Sequence, residues 1–192
     1  LNTIKAEIKD NFPYKVLEVY GAEADDIIAT LCSELEFDNG KTLILSGDKD
    51  FIQLHKFKNV KQYSPITKKF INGEDPDEYL YQHILKGDSS DGIPNVLSPD
   101  NTFVDGLRQR PLSKKKIAEW AGPLCEQFLP SDEAKRNYQR NKKLIDLKES
   151  PDELHLECIK AYQDAPEGDR SKLLNYFIKN RLNELMENIG DF

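Results

Sequence analysis

Seven carboxylates are concentrated in three short segments. Glu23, Asp25 and Asp26 lie in YGAEADDIIATL, Asp48 and Asp50 in SGDKDF, and Asp88 and Asp91 in KGDSSDGIPN. Each segment adjoins an apolar stretch, so the acids sit at the ends of elements that a core would hold. Carboxylates aimed at one point repel unless a cation lies between them. In an extended backbone Asp48 and Asp50 point the same way, because side chains alternate with period two, and Lys49 points elsewhere. Oxygen donors without cysteine or histidine suit Mg²⁺ or Mn²⁺. Glu23 and Asp25 converge only where the chain is still extended; a helix beginning earlier would put Glu23 and Asp26 on one face instead. Spacing leaves both arrangements open, and a helix N-terminus favours carboxylates in either. Taken singly, the groups read as helix caps, a solvated Asp-x-Asp and a GDSSDG turn. The joint pattern points to a site: two clusters end adjacent elements, and a third opens the next region.

The elements that must position these acids can be read from periodicity. Ile4 and Ile8 predict a short helix over 3–11. YKVLEV (14–19) reads as a strand ended by Gly21. Ala24, Ile27, Ile28, Leu31 and Leu35 form one stripe of a helix over 24–38, with Gly40 as its stop. TLIL (42–45) has the pattern of a strand buried on both faces. Strand, helix and strand imply a right-handed parallel crossover. Open α/β sheets bind ligands at the carboxyl edge, and SGDKD follows TLIL directly. A turn and short helix are expected at SGDKDFIQLH, then a hairpin of VKQYSP with KKFING. So small a sheet predicts one or two further strands, from upstream residues or another chain. From Asp75 the pattern turns helical. Asp75 can cap, Pro76 suits the first helical position, Glu78 stands where a capping box puts its acid, and Gly87 stops the helix after Lys86. An irregular stretch over 88–112 follows. Ser113 caps KKKIAEWA, which Gly122 and Pro123 stop, and helices are expected over 124–129, 132–147, 153–163 and 171–189. The boundary falls near Gly73, giving an α/β part over 1–73 and an all-α part over 74–192.

Composition bounds the class. The 192 residues are 38% hydrophobic and 32% charged, as in a globular protein of one ordinary domain or two small ones. No apolar run nears the roughly 20 residues of a membrane span. Cys32, Cys125 and Cys158 are far apart and odd in number, which fits reduced thiols in a cytoplasmic compartment. No Cys-x-x-Cys occurs, and His55, His83 and His155 are isolated, which argues against zinc. The net charge of −7 argues at first against a nucleic-acid partner. Without the seven clustered acids, however, 27 acidic residues face 27 basic ones. Because the sequence opens on Leu1 and its only methionine is Met186, a processed or cut chain is expected.

YGAEADDIIATL, SGDKDFIQL, NVKQYSP and ILKGDSSDGIPN, in this order and spacing, resemble the 5′-nuclease (flap endonuclease) family, and within it the ribonuclease H type of T-even-like bacteriophages. The likeness extends to NYFIKNRLNELMENIGDF. It implies a PIN-like (Rossmann-like) parallel-sheet catalytic domain, incomplete at its N-terminus. An all-α domain with a divergent helix-three-turn-helix would follow. It also implies a nuclease that cuts near 5′ ends of DNA or RNA·DNA duplexes and flaps with two Mg²⁺ or Mn²⁺ ions, as in primer removal during replication. Glu23, Asp25, Asp48, Asp50 and Asp91 would be metal ligands, Glu23 and Asp25 through the extended arrangement. Asp26 and Asp88 would lie nearby, and Asp25, Asp48, Asp50 and Asp91 would carry catalysis.

The resemblance further implies a monomer in the host cytoplasm, with replication proteins such as a single-strand-binding protein or sliding clamp as partners. Family members carry further aspartates and a basic helical arch upstream, so this chain alone is expected to be inactive or very weak. A second glycine of the family's Gly-x-Gly hairpin is missing after Gly92, which speaks against a K⁺ site. Arg108, Arg110, Lys114, Lys115 and Lys116 surround one helix start and could meet backbone phosphates; Arg136, Arg140 and Lys143 recur at helical spacing. Two other readings compete: a non-catalytic DNA-binding protein on this scaffold, and a metal-dependent phosphatase suggested by Asp-x-Asp. The phosphatase is weaker, because DKDFI lacks the Gly-Thr-like continuation of those enzymes.

Overall fold

The structure, a computed structural model, describes residues 2–35, 41–73 and 75–192. In chain order the elements are α1 (Asn2–Asn11), α2 (Ala24–Leu35), β1 (Thr42–Leu45), β2 (Val60–Ser64), β3 (Lys69–Ile71), α3 (Pro76–Lys86), α4 (Lys114–Trp120), α5 (Cys125–Phe128), α6 (Asp132–Ile145), α7 (Asp152–Asp164), α8 (Leu173–Asn180) and α9 (Asn183–Glu187). A 3₁₀ helix at Asp50–Lys56 connects β1 to β2. The residues fall into two compact units, one of Leu1–Ala22 with Leu156–Phe192, the other of Glu23–His155. No helix among the described residues is long and apolar enough to cross a membrane.

In the first unit the Phe12 ring packs edge-on against Tyr176, Phe177 and Phe192, with centroids 5.5, 5.8 and 5.9 Å away. The strand expected over 14–19 is irregular backbone. Within it, Lys15 donates to the Tyr162 carbonyl at 3.1 Å and pairs with Glu167. The helix expected over 171–189 is broken. Arg181 turns left-handed (φ 55°), and Leu182 N–H bonds back to Phe177 O at 2.9 Å, which ends α8. Leu173 and Phe177 are buried, whereas Leu174 and Ile178 of the same apolar stripe are exposed.

The second unit holds the sheet, ordered β1-β2-β3. β1 pairs parallel with β2 (Thr42 opposite Val60), and β2 antiparallel with β3 (Tyr63 opposite Phe70). The expected hairpin forms, but the sheet is mixed rather than parallel, and the parallel crossover runs through the 3₁₀ helix, not through α2. TLIL is not buried on both faces: Ile44 is in the core while Leu43 and Leu45 are exposed. Within the unit, Cys32, Ile44, Phe51, Leu54 and Val60 form one apolar cluster. Leu80, Ile84, Val96, Trp120, Cys125 and Tyr138 belong to a second. The cysteines are all reduced and buried, with Cys158 in the first unit. The expected extension of α2 to residue 38 and its stop at Gly40 lie outside the described residues.

Caps fix the helix starts as their side chains dictate. Asp75 accepts from Glu78 N–H at 2.8 Å, Ser113 from Lys116 N–H at 3.3 Å and Ser131 from Ala134 N–H at 3.2 Å. α6 contributes a buried polar seam. Asn137 donates to Val96 O and Ser98 O at 3.1 and 3.0 Å, and Asn141 to Ile84 O and Pro94 O at 2.8 and 2.9 Å. These bonds give hydrogen-bond partners to carbonyls of the α3 exit and the following loop, with Arg140 as a second donor to Pro94 O at 2.9 Å.

Candidate metal centre

Three elements deliver the acids. α2 begins at Ala24, so Glu23 stands at its N-cap position and is exposed. Asp26, at the third helical position, accepts from Glu23 N–H at 3.0 Å, the return half of a capping box. Its other oxygen accepts from the Ser150 hydroxyl at 2.5 Å. Asp25 is half-buried beside it. Asp48 and Asp50 follow β1, but the backbone between them is not extended, because Lys49 is helical (φ −80°, ψ −16°). They are instead tied by a turn in which Asp48 Oδ1 accepts from Asp50 N–H at 3.1 Å. Gln62, fully buried on β2, fastens this loop by donating to Ser46 O at 2.9 Å and Asp48 O at 2.5 Å. His55 Nε2 orients Gln62 through its carbonyl oxygen at 3.0 Å.

The third segment leaves α3 through Gly87 (φ 68°), where a Cβ would collide with the carbonyls of Ile93 and Pro94. Only glycine fits this left-handed, crowded position. Asp88 is then held on all sides. Its Oδ1 accepts from Ser90 N–H at 2.8 Å, from the Ser90 hydroxyl, and from Asp91 N–H at 3.4 Å. Its Oδ2 lies 3.2 Å from His83 Nε2. The opposite ring atom, His83 Nδ1, lies 3.3 Å from Asp50 Oδ1 but without hydrogen-bond alignment, and it is a buried polar atom with no hydrogen-bond partner among the described residues. Asp50, His83 and Asp88 each offer a donor atom within 4.8 Å of the others'.

Electrostatics join the segments. Burial, then the charges of Asp48, Asp88 and Asp91, push the Asp50 carboxyl up to about 6, against the partial relief of His83. Burial raises Asp25 too, with added repulsion from Asp26 and Asp48. Asp88 is lowered, chiefly by the Ser90 hydroxyl. Asp25, Asp48, Asp50, Asp88 and Asp91 thus share one region of mutual repulsion, while Asp26 has both oxygens engaged in holding α2. The converging oxygens and the orphaned Nδ1 form a donor set that suits a divalent cation. Sequence reading missed His83, which looked isolated, and Gln62, a polar residue at an inward strand position. An i, i+5 spacing from His83 to Asp88 across a helix end was the available signal for the first.

The basic residues are placed less uniformly. Ser113 caps α4 where Lys114, Lys115 and Lys116 begin it, and Lys116 lies 5.5 Å from the Trp120 ring centre. Arg110 reaches Glu133 at 3.4 Å. Arg136 and Arg140 both bind Asp100, so their charge is partly spent inside the fold.

Comparison with known proteins defines the class first. Residues 2–81 match the model of the 5′-3′ exonuclease N-terminal resolvase-like domain. Over 90% of the chain, the fold also matches that of a mutant T5 5′-exonuclease, with a TM-score of 0.53 at 18% identity, covering 67% of that structure. The particular family follows from residues 75–192, which match the T4 RNase H C-terminal model, and the chain belongs to that family. It is 34% identical to the ribonuclease H of Enterobacteria phage T4 over 97% of its own length and 63% of the phage protein's. It is also 39% identical to a 5′-3′ exonuclease of Buchnera aphidicola over 47% of this chain and 34% of that one.

Proposed function

We propose that this chain carries the metal-binding and duplex-binding parts of a divalent-metal-dependent 5′-nuclease. It acts on phosphodiester bonds of DNA or RNA·DNA duplexes and flaps, as primer removal in replication requires. The convergence of acids from the α2 mouth, the β1 exit and the α3 exit supports this most. Glu23, Asp25, Asp48, Asp50 and Asp91 would hold two Mg²⁺ or Mn²⁺ ions. Bound there, such ions supply an activated water and charge neutralisation for in-line cleavage. The protein's own part is preorganisation. Gln62 fixes the loop of Asp48 and Asp50, Gly87 turns the chain toward Asp91, and the α2 cap holds Asp25.

Arg108, Arg110, Lys114, Lys115 and Lys116 would position the duplex by its phosphates, in the role of a helix-three-turn-helix. The functional boundary lies near Gly73. The protein works as a monomer in the host cytoplasm, with single-strand-binding protein or sliding clamp as partners. Mn²⁺ titration followed by electron paramagnetic resonance tests the reading. Saturable binding lost in Asp48→Asn/Asp50→Asn is expected, and a chain that binds no Mn²⁺ at millimolar concentration refutes it. A flap-cleavage assay of residues 1–192 should show at most weak activity; duplex binding without any Mn²⁺ binding would favour the non-catalytic reading.

A further inference from the structure

The sequence offers this centre only oxygen donors, yet an imidazole lies inside it. We infer that His83 is a nitrogen ligand of the centre, sharing one cation with Asp50 through Nδ1, while Asp88 orients its ring. The inference rests on the metal-site reading above and adds a donor of different chemistry.

Three observations carry it. First, Asp88 faces Nε2 at 3.2 Å. An ionised carboxylate only accepts, so Nε2 bears a proton and Nδ1 is the ring atom left to bind a metal. Second, that Nδ1 is buried, has no hydrogen-bond partner among the described residues, and faces an Asp50 oxygen 3.3 Å away. Two acceptor atoms this close need a cation between them: in the metal-free chain a proton on Nδ1 can serve, as in a His83–Asp50 ion pair, and a divalent ion entering the centre would take that proton's place. Third, the separation fits. Two donors bound at about 2.1 Å, at angles between octahedral and tetrahedral, lie about 3.0–3.4 Å apart.

The arrangement is the carboxylate–histidine–metal relay, in which an outer carboxylate fixes the tautomer and aim of the ring. Asp88 suits the outer place because Ser90 and Asp91 already fill its other oxygen. Imidazole favours transition ions over Mg²⁺, so the His83–Asp50 position should prefer Mn²⁺, Co²⁺ or Zn²⁺, leaving oxygen-only positions to Mg²⁺.

The test is pulsed electron paramagnetic resonance of Mn²⁺ bound to the 192-residue chain, read for ¹⁴N modulation. Wild type should show an imidazole nitrogen on Mn²⁺, and His83→Ala should lose it. His55 and His155 are engaged elsewhere, with Gln62 and with Thr30 and Glu34. His83→Ala should weaken Mn²⁺ at least about tenfold but Mg²⁺ less than about threefold. Asp88→Asn should weaken Mn²⁺ by an intermediate factor, about 10-fold or less. His83→Gln keeps the side-chain volume and serves if the alanine variant unfolds; it too should lose the nitrogen signal. Mn²⁺ bound with no nitrogen signal, or with the signal retained in both His83 variants, overturns the inference and leaves the nuclease reading standing. A wild-type chain that binds no Mn²⁺ overturns both.

Discussion

Asp50 is held where its charge is unwelcome. Its folded value of about 6 exceeds the ordinary 3.8, so the native state binds the proton more tightly than the unfolded chain. Its contribution is therefore fully present below pH 3.8 and lost as pH rises to about 6. Without metal, Asp50→Asn should stabilise the fold at pH 7 by about 1–2 kcal/mol, after discounting for its partial exposure. Chemical denaturation in chelator checks this, and the advantage should shrink between pH 6 and 4. Lys56 shows the mirror case. Burial first, then Lys148, lowers it from 10.5 to about 8, so the native state carries a penalty that is relieved as pH rises from 8 toward 10.5. Lys56→Met should raise the denaturation midpoint at pH 7 by an amount equivalent to about 1 kcal/mol, less at pH 10. The acids of the centre were legible in the sequence because carboxylates cluster along the chain there. His83 and Gln62 were not, because each is linked to the centre only through contacts made after folding. Asp26, expected to lie near the metal acids, accepts from Glu23 N–H and from the Ser150 hydroxyl.

The α3 exit depends on positions whose importance lies in the backbone. Gly87→Ala combines a left-handed conformation with collisions against Ile93 and Pro94, so it should cost at least about 2 kcal/mol and disturb Asp88 and Asp91. Thermal melting reads the first effect and Mn²⁺ affinity the second. Asn141→Ala removes the side-chain donor of the Ile84 carbonyl and one of the two side-chain donors of Pro94 O, which keeps Arg140, so it should cost about 1–3 kcal/mol. In the sequence, Asn137 and Asn141 have the look of a solvated face. Their i, i+4 spacing is equally that of a buried polar seam, and only the neighbouring loop decides between the two. Helices opened by Asp75 and Ser113 were legible almost to the residue, since both caps act through local bonds. The segment over 14–19 has the composition of a strand but forms no ladder in the structure, and the last helix breaks at Arg181, which turns left-handed without a glycine to mark it. Strand pairing depends on partners remote in sequence, which is why the mixed sheet was harder to read than the helices.

For the whole molecule, charge is the quantity that sets what can approach. A net −7 includes the clustered acids, and cations bound there would leave the remaining surface near neutrality. Changing Lys114, Lys115 and Lys116 together to Glu should weaken duplex binding evenly across sequences. It should also flatten the slope of log affinity against log salt by about 2–3 units. An unchanged slope would place the phosphate contacts elsewhere. The thiols offer a different use of the architecture. Cys32 and Cys125 sit in separate apolar clusters of one unit and Cys158 in the other unit, all of them buried, and burial raises the first two thiols to about 11. An alkylating reagent reaches each sulfur only when its surroundings breathe open. Three labelling rates, resolved by peptide mass, would therefore clock the loosening of three regions independently, with no probe engineered into the chain.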